Sequence, residues 1–392
     1  MAFMVVMPVF VPFLQGFGLS MSQILQTQAI FALTIALCEV PSGYIADLWG
    51  RKNALVLGTL LNAIGFAWIW WADSFYDFLV YEIVLGIGMS MASGADLALL
   101  YDSESYLKQI GAENDNAPTK SISRLVAIEA AAAAFAGVIT GVLLNWSLEL
   151  VVLVQSLTGI LPFFLALTLV EPPRPNSEEG HSNNAKKIME LLILGRPVVL
   201  WTAIAIVIFG LMSLYAFWIY QEYWRFQGVS LAHFGYIWAG YGIAVSISAR
   251  FSGDLERKMG ARYLLILTAA LPVIGFGGMA LFSDWIGIVF GMAIQVSRGL
   301  SLAVFYEALN SRVPGEFRAT VNSLVSLGMR GGFIVTGPIL GMLIDGQGIQ
   351  FTLFALALLF IPMAVVVVVP LCRRINKEQH TVGIKLNTSQ AR

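Results

Sequence analysis

Apolar runs of roughly 20 residues, the length that spans a bilayer, alternate with short polar or glycine-rich breaks along almost the whole chain. Cutting at the breaks gives six predicted spans at residues 2–14 (or 2–19), 23–46, 54–71, 78–101, 122–144 and 148–170. Six more follow at 198–220, 231–251, 263–282, 285–309, 320–344 and 351–371. The first run is short, holds Pro8 and Pro12 and has no basic leader. It reads as a clipped transmembrane helix rather than a secretory signal. The longest polar break, 171–197, contains Pro172, Pro173, Arg174 and Pro175 and has the composition of a linker. The expected organisation is therefore two six-helix bundles, 1–170 and 198–372, joined by a cytoplasmic linker, 171–197. A polar, mobile cytoplasmic tail, 373–392, is expected at the end, and residues 186–194 are expected to form an interfacial helix.

Composition agrees with an all-α polytopic membrane protein. The chain is 58% hydrophobic and 12% charged, about half the charge a soluble domain carries. Its net charge of -1 speaks against a nucleic-acid partner. Cys38 and Cys372 lie far apart in apolar runs, and His181, His233 and His380 all lie outside the deep apolar segments. No disulfide framework, metal cluster or cofactor is expected. No phosphate-cradling Gly-rich Lys-Ser/Thr loop, zinc pattern or catalytic Ser/His/Asp grouping is present, so neither an ATP-driven pump nor an enzyme is expected.

Charge sets the expected orientation. One alternate set of breaks holds Arg51, Lys52, Lys108, Lys120, Arg124, Arg250, Arg257, Lys258, Arg262, Arg312 and Arg318, together with the linker and tail bases. The opposite set holds only Arg225 and instead carries Asp73, Asp77, Glu149, Glu222, Asp284 and Asp345. The positive-inside rule makes the first side cytoplasmic, with both termini there. The halves also repeat. Gly43 and Gly50 match Gly253 and Gly260; Gly86, Gly94, Leu97, Tyr101 and Asp102 match Gly291, Gly299, Leu302, Tyr306 and Glu307; Ser123, Gly137 and Gly141 match Ser323, Gly337 and Gly341. Parallel repeats of this kind are one known route to a transporter.

The stretch Gly43-Tyr44-Ile45-Ala46-Asp47-Leu48-Trp49-Gly50-Arg51-Lys52 resembles the signature of the major facilitator superfamily between helices two and three. The resemblance covers nearly the whole chain. Glu39-Val40-Pro41-Ser42 and Ala98-Leu99-Leu100-Tyr101-Asp102-Ser103 resemble a prokaryotic, drug- or metabolite-transporting branch. The resemblance implies two pseudo-symmetric bundles with the major facilitator fold. It also implies a gating role for Gly43, Asp47, Gly50, Arg51 and Asp102. Gly43 is expected where a neighbouring helix approaches closely. Asp47 is expected to face the N-terminus of the eleventh helix, starting near Thr320, where the helix dipole favours an anion. Arg51 is expected to pair with Asp47 or with Asp102. One departure is the absence of the Gly-Pro that exporters of the superfamily carry in helix five; here Gly337-Pro338 stands in helix eleven.

Ionisable side chains inside apolar spans are functional candidates by default. Asp96, Glu129, Arg298 and Arg330 form a near-neutral set, with Glu129 and Arg330 at adjacent repeat positions. Arg298 is expected to bind an anionic group of the substrate or to pair with the coupling acid. Glu129 or Asp96 is expected to carry a coupling proton. The resemblance places helices one, four, seven and ten around the cavity. The candidate lining is Phe13, Gln15, Ser93, Trp218, Gln221, Tyr241, Gln295 and Tyr306, while Tyr223 and Trp224 are expected in an outer aromatic belt. The resulting expectation is a monomeric secondary transporter in a bacterial inner membrane, exporting a small organic compound with protons as coupling ion. Proton symport or facilitated uptake is the alternative within transport. A membrane sensor or scaffold without turnover is the alternative outside it.

Overall fold

The computed structural model describes residues 3–110, 118–173 and 197–390. Among them are twelve α-helices and no strand: α1 (Phe10–Gly16), α2 (Met21–Trp49), α3 (Arg51–Trp68), α4 (Phe75–Gln109), α5 (Pro118–Leu143) and α6 (Leu148–Thr168). The second half contributes α7 (Pro197–Phe226), α8 (Leu231–Met259), α9 (Ala261–Leu281), α10 (Asp284–Arg312), α11 (Gly315–Gln347) and α12 (Ile349–Gln390). A 3-10 turn, Met7–Val9, precedes α1 and has Pro8 in its first turn, where a missing N–H costs nothing. Eight helices among the described residues are long and apolar enough to cross a membrane.

Several expected breaks are shorter than their polarity suggests, because charged residues occupy helix ends. The signature stretch is helical through Trp49, and the chain turns at the single residue Gly50. Helix α11 begins at Gly315, ahead of the expected start near Thr320. The polar tail expected from 373 onward instead continues α12 to Gln390. The expected interfacial helix at 186–194 lies outside the described residues.

The internal repeat is visible in the backbone. Gly50 (φ 108°) and Gly260 (φ 84°) are the one-residue hinges of α2–α3 and α8–α9. Gly18 (φ 80°) and Gly228 (φ 73°) sit ahead of α2 and α8, and both pairs have the same spacing. Ser20 starts α2 with a reciprocal cap: its hydroxyl accepts from the Gln23 amide at 3.3 Å, and its own amide donates to Gln23 Oε1 at 3.0 Å. Ser147 starts α6 by accepting from the Leu150 amide at 3.1 Å.

Contacts divide the chain into two compact units. The first comprises Met1–Glu178, Trp224–Gly240 and Arg330–Gly346; the second comprises Glu179–Tyr223, Tyr241–Met329 and Gln347–Arg392. In the first unit, α2, α3 and α4 enclose a core of Ala46, Ala54, Leu55, Met91, Ala95 and Leu99 just beside the Gly50 hinge. Two crossings there need glycine. Gly137 and Gly141 of α5, a small-xxx-small pair, meet Gly235 of α8 backbone to backbone. Gly341 of α11 lies so close to α2 that an added Cβ would stand 2.5 Å from Ser22 Cα. In the second unit, α9 packs along both α10 and α12.

Candidate functional site

The hinge in the first unit is a cluster of opposite charges on helix ends. Arg51, the first residue of α3, forms an ion pair through Nη1 with the Asp102 carboxylate of α4. The same nitrogen donates to the Ala98 carbonyl at 2.6 Å. Glu171, just beyond α6, accepts from the backbone amides of Arg51 at 2.8 Å and Lys52 at 3.2 Å. Its carboxylate thus fills the open N-terminus of α3, where amides lack partners and the helix dipole favours an anion. Of the two partners open to Arg51 from sequence, the structure joins it to Asp102. Asp47 stands exposed in the last turns of α2. Glu171 was not anticipated, because a lone acid at the edge of a proline-rich linker gives no sign of which helix end it reaches.

The two glycines of this stretch differ. An added Cβ at Gly43 would meet nothing within 4 Å among the described residues, so the close helix approach expected there is not found among them. Gly50 has φ 108° and ψ 142°, and an added Cβ would stand 2.6 Å from Glu171 Oε2. This region of backbone space is essentially glycine-only, with a strain of about 1–3 kcal/mol for other residues. Gly50→Ala is therefore expected to lower the stability of the purified protein by about that amount, while Gly43→Ala leaves the thermal midpoint unchanged. Equal midpoints for the two variants would remove the special role given to Gly50.

The intramembrane charges do not pair as their repeat positions suggest. Arg330 of α11 donates from Nη1 to Glu39 Oε2 of α2 at 2.8 Å. The crossing of α2 and α11 brings Arg330 to Glu39, an acid outside the near-neutral set read from the sequence. Glu129 and Asp96 are both exposed on their helices. The acid that is enclosed is Glu82 of α4, only 3% exposed. Its Oε1 accepts a hydrogen bond from Nε2 of Gln28 on α2, itself 5% exposed. Beside it lies the buried ring of Tyr81. The sequence carried this signal, since a single acid in the first third of an apolar span is a functional candidate by the rule already applied to Asp96.

In the second unit, a cavity of about 180 Å³ opens between α7, α10 and α11. Arg298, Ser301 and Tyr306 of α10 line it, with Phe209, Ser213 and Phe217 of α7 and Met329 of α11. Among the described residues of the lining, Arg298 is the one ionisable side chain other than the Tyr306 phenol. The tyrosines of α7 and α8 hold α10 in place. Tyr220 donates to the Gly291 carbonyl at 3.0 Å and Tyr241 donates to the Ile288 carbonyl at 2.6 Å. Their rings meet edge to face at 4.8 Å between centroids.

Of the eight side chains expected around a cavity, Tyr306 lines this one. Trp218, Gln221, Tyr241 and Gln295 are buried within helix packing. Phe13 packs against Phe10, Phe17 and Phe78. Gln15 is partly buried on α1, and Ser93 is exposed on α4. Phe209, Phe217 and Ser213 were missed, although the steps of about four residues between them mark one face of α7. Tyr223 and Trp224 are fully buried rather than set in a lipid-facing belt. Tyr223 donates to the Phe282 carbonyl at 3.0 Å, and Trp224 stacks edge-on against Phe234 and Trp238. No group of three His, Cys, Asp or Glu able to hold a metal ion occurs among the described residues.

Solved structures of similar fold include transporters. A point mutant of the nucleoside transporter NupG superposes with a TM-score of 0.74 at 12% identity, covering 95% of this chain and 96% of that one. A bacterial homolog of the human lysosomal transporter Spinster, inward-facing and unoccupied, gives 0.71 at 16% identity, covering 94% and 93%. A D-xylose–proton symporter gives 0.67 at 14% identity, covering 88% and 87%. No curated protein matches the chain. The sequence profile described as Major Facilitator Superfamily matches residues 1–308. That match spans most of the chain and includes both the Gly50 hinge and Arg298: the protein belongs to the major facilitator superfamily.

Proposed function

We propose that this protein is a secondary active transporter that exports a small organic compound by alternating access, coupled to protons. The observation that carries the reading is the Arg298 cavity between α7, α10 and α11, aromatic on one wall and charged on another. An apolar site with a few placed polar groups suits an organic compound better than an inorganic ion. Proton coupling draws support from the enclosed acid. Glu82 is the first choice for the proton carrier, and Glu129 and Asp96 are the others. A D-xylose–proton symporter among the structural neighbours is consistent with coupling on this fold.

The gate has two ends in this reading. Arg51, Asp102, Glu171 and the Gly50 hinge, with Asp47 and Gly43 on the preceding turns, form the cytoplasmic latch of the first half. Asp345, whose two carboxylate oxygens accept from the Met21 and Ser22 amides at 3.0 and 2.8 Å, clasps the other end of α2. Both sets must part in turn for access to alternate. The reading further holds that the protein is a monomer in a bacterial inner membrane with both termini cytoplasmic. The domain division is into bundles 1–170 and 198–372 about the linker 171–197.

Import by symport or facilitation is the second reading, favoured by the absence of a Gly-Pro from α5. Flux into proteoliposomes under an imposed pH gradient separates these. Export by exchange predicts uptake when the lumen is acidic and loss of uptake with a protonophore. Uptake when the outside is acidic establishes symport, and uptake indifferent to the gradient establishes facilitation. No flux for any compound of a broad panel would overturn transport and leave the sensor or scaffold.

A further inference from the structure

We infer that the Arg298 cavity is selective for a small organic monoanion, a carboxylate on a compact apolar body. This rests on the transport reading for its role in a cycle but not for the binding itself. The argument is a count of donors and acceptors. Among the described residues the cavity is lined by four polar side chains, Ser213, Arg298, Ser301 and Tyr306, and by no acid or amide. Two of these spend their protons inside the protein. Ser213 donates to the Phe209 carbonyl at 2.9 Å and Ser301 donates to the Arg298 carbonyl at 2.9 Å. The Arg298 guanidinium and the Tyr306 hydroxyl make no hydrogen bond or ion pair with any described residue of their own unit. The lining therefore offers unspent donors and one positive charge, and no side chain that would balance that charge.

A guanidinium has five N–H donors and no acceptor. Held in an apolar wall, it needs an acceptor-only partner, and a carboxylate matches its planar fork with two parallel bonds. A cationic ligand would meet uncompensated like charge, and a neutral alcohol would leave that charge unbalanced. One cation also sets the charge of the guest. A phosphomonoester carries between one and two negative charges at neutral pH and would leave part of its charge unmatched, whereas a carboxylate makes the occupied site neutral. The rest of the described wall is apolar and includes Phe209, Phe217, Phe305, Leu214, Leu302 and Met329. The volume of about 180 Å³ is below the range of about 300–1,000 Å³ common for drug-sized ligands. The guest is therefore single-ring sized, or inserts only its anionic end.

The test uses the full-length protein in nanodiscs with three probes of one shape: phenylacetate, phenethylamine and phenylethanol, plus phenyl phosphate. Binding is read by tryptophan fluorescence and by thermal shift. Phenylacetate is expected to bind, and the amine and the alcohol to bind at least about tenfold more weakly, as a lost charge-assisted bond implies. Arg298→Gln is expected to weaken phenylacetate by about 10- to 100-fold, and Arg298→Lys by less, because it keeps the charge but not the fork. The lysine variant also shows whether the glutamine variant has merely lost its fold. The inference is overturned if the amine or alcohol binds as well as phenylacetate, if phenyl phosphate binds better, if Arg298→Gln leaves phenylacetate affinity unchanged, or if no probe binds. Transport reads out separately. Arg298-dependent binding without flux keeps the anion site and removes the transporter; flux of a cation keeps the transporter and removes the anion site.

Discussion

Glu82→Gln is expected to abolish uphill transport while leaving exchange of substrate across the membrane intact. Glutamine has the shape of the protonated acid and retains an oxygen for Gln28 Nε2, so the packing of α2 against α4 is kept. What it lacks is a proton to gain or lose. A gradient of one pH unit is worth about 1.4 kcal/mol per coupled proton, equivalent to about tenfold accumulation. Wild-type proteoliposomes should approach that ratio, and Glu82→Gln proteoliposomes should equilibrate near unity. Glu82→Asp, one methylene shorter, should reduce the ratio less. Undiminished accumulation in Glu82→Gln would move the coupling role to Glu129 or Asp96. The enclosure of Glu82 makes the effect large, because a charge carried in hydrocarbon costs at least about 2.5–3.5 kcal/mol at mid-bilayer. The carboxylate therefore has to meet water or a partner on each cycle.

A valine at Gly235 or Gly341 is expected to be nearly as damaging by a different route. At Gly235 an added Cβ would run into the Gly137 carbonyl and the Gly141 amide; at Gly341 it would stand 2.5 Å from Ser22 Cα and 2.7 Å from the Met21 carbonyl. These neighbours are backbone, which cannot rotate aside, so the helices themselves must separate. Overpacking of this kind costs about 1–3 kcal/mol. Charged against one state of a two-state cycle, that shifts the population about 5- to 150-fold. The clasp at Asp345 would open with it, since its acceptors reach Met21 and Ser22 on the same turn. A cysteine at Ser22 should then react faster with a membrane-impermeant maleimide in the Gly341→Val background, and substrate flux should fall accordingly. Unchanged labelling and unchanged flux would show that the crossing tolerates the added bulk and does not gate.

The helix plan was legible because span length and the polar breaks are each imposed by the bilayer. The chain has almost no amphipathic face to read, yet a run such as 148–170 can be cut by length alone, and α6 is Leu148–Thr168. The repeat was legible through glycine, whose backbone freedom leaves a sequence mark: Gly50 and Gly260 are both hinges. Two kinds of feature were not legible. The end of α2 was drawn too early, since Asp47 continues a helix in water as readily as it begins a loop. Partners were not legible because depth in the membrane is readable from position along a helix, whereas the facing neighbour depends on crossing angles. The sequence thus placed Arg330 at a depth without naming Glu39 as the acid it meets. The same reasoning explains the cavity. Helix-level resemblance names α7 and α10, but only packing tells that Phe209 and Phe217 face Arg298's cavity while Trp218 and Gln221 turn into the protein.

The claim beneath all of this is that a cargo bound at Arg298 is carried across by a site that opens alternately to each side. Trans-stimulation tests it most directly. Labelled phenylacetate is supplied outside proteoliposomes that contain either buffer or an excess of the unlabelled compound. A single alternating site predicts faster, saturable uptake into the loaded vesicles, with the stimulation lost in Arg298→Gln. Uptake that rises linearly with concentration, gains nothing from substrate inside and persists in Arg298→Gln would contradict the account.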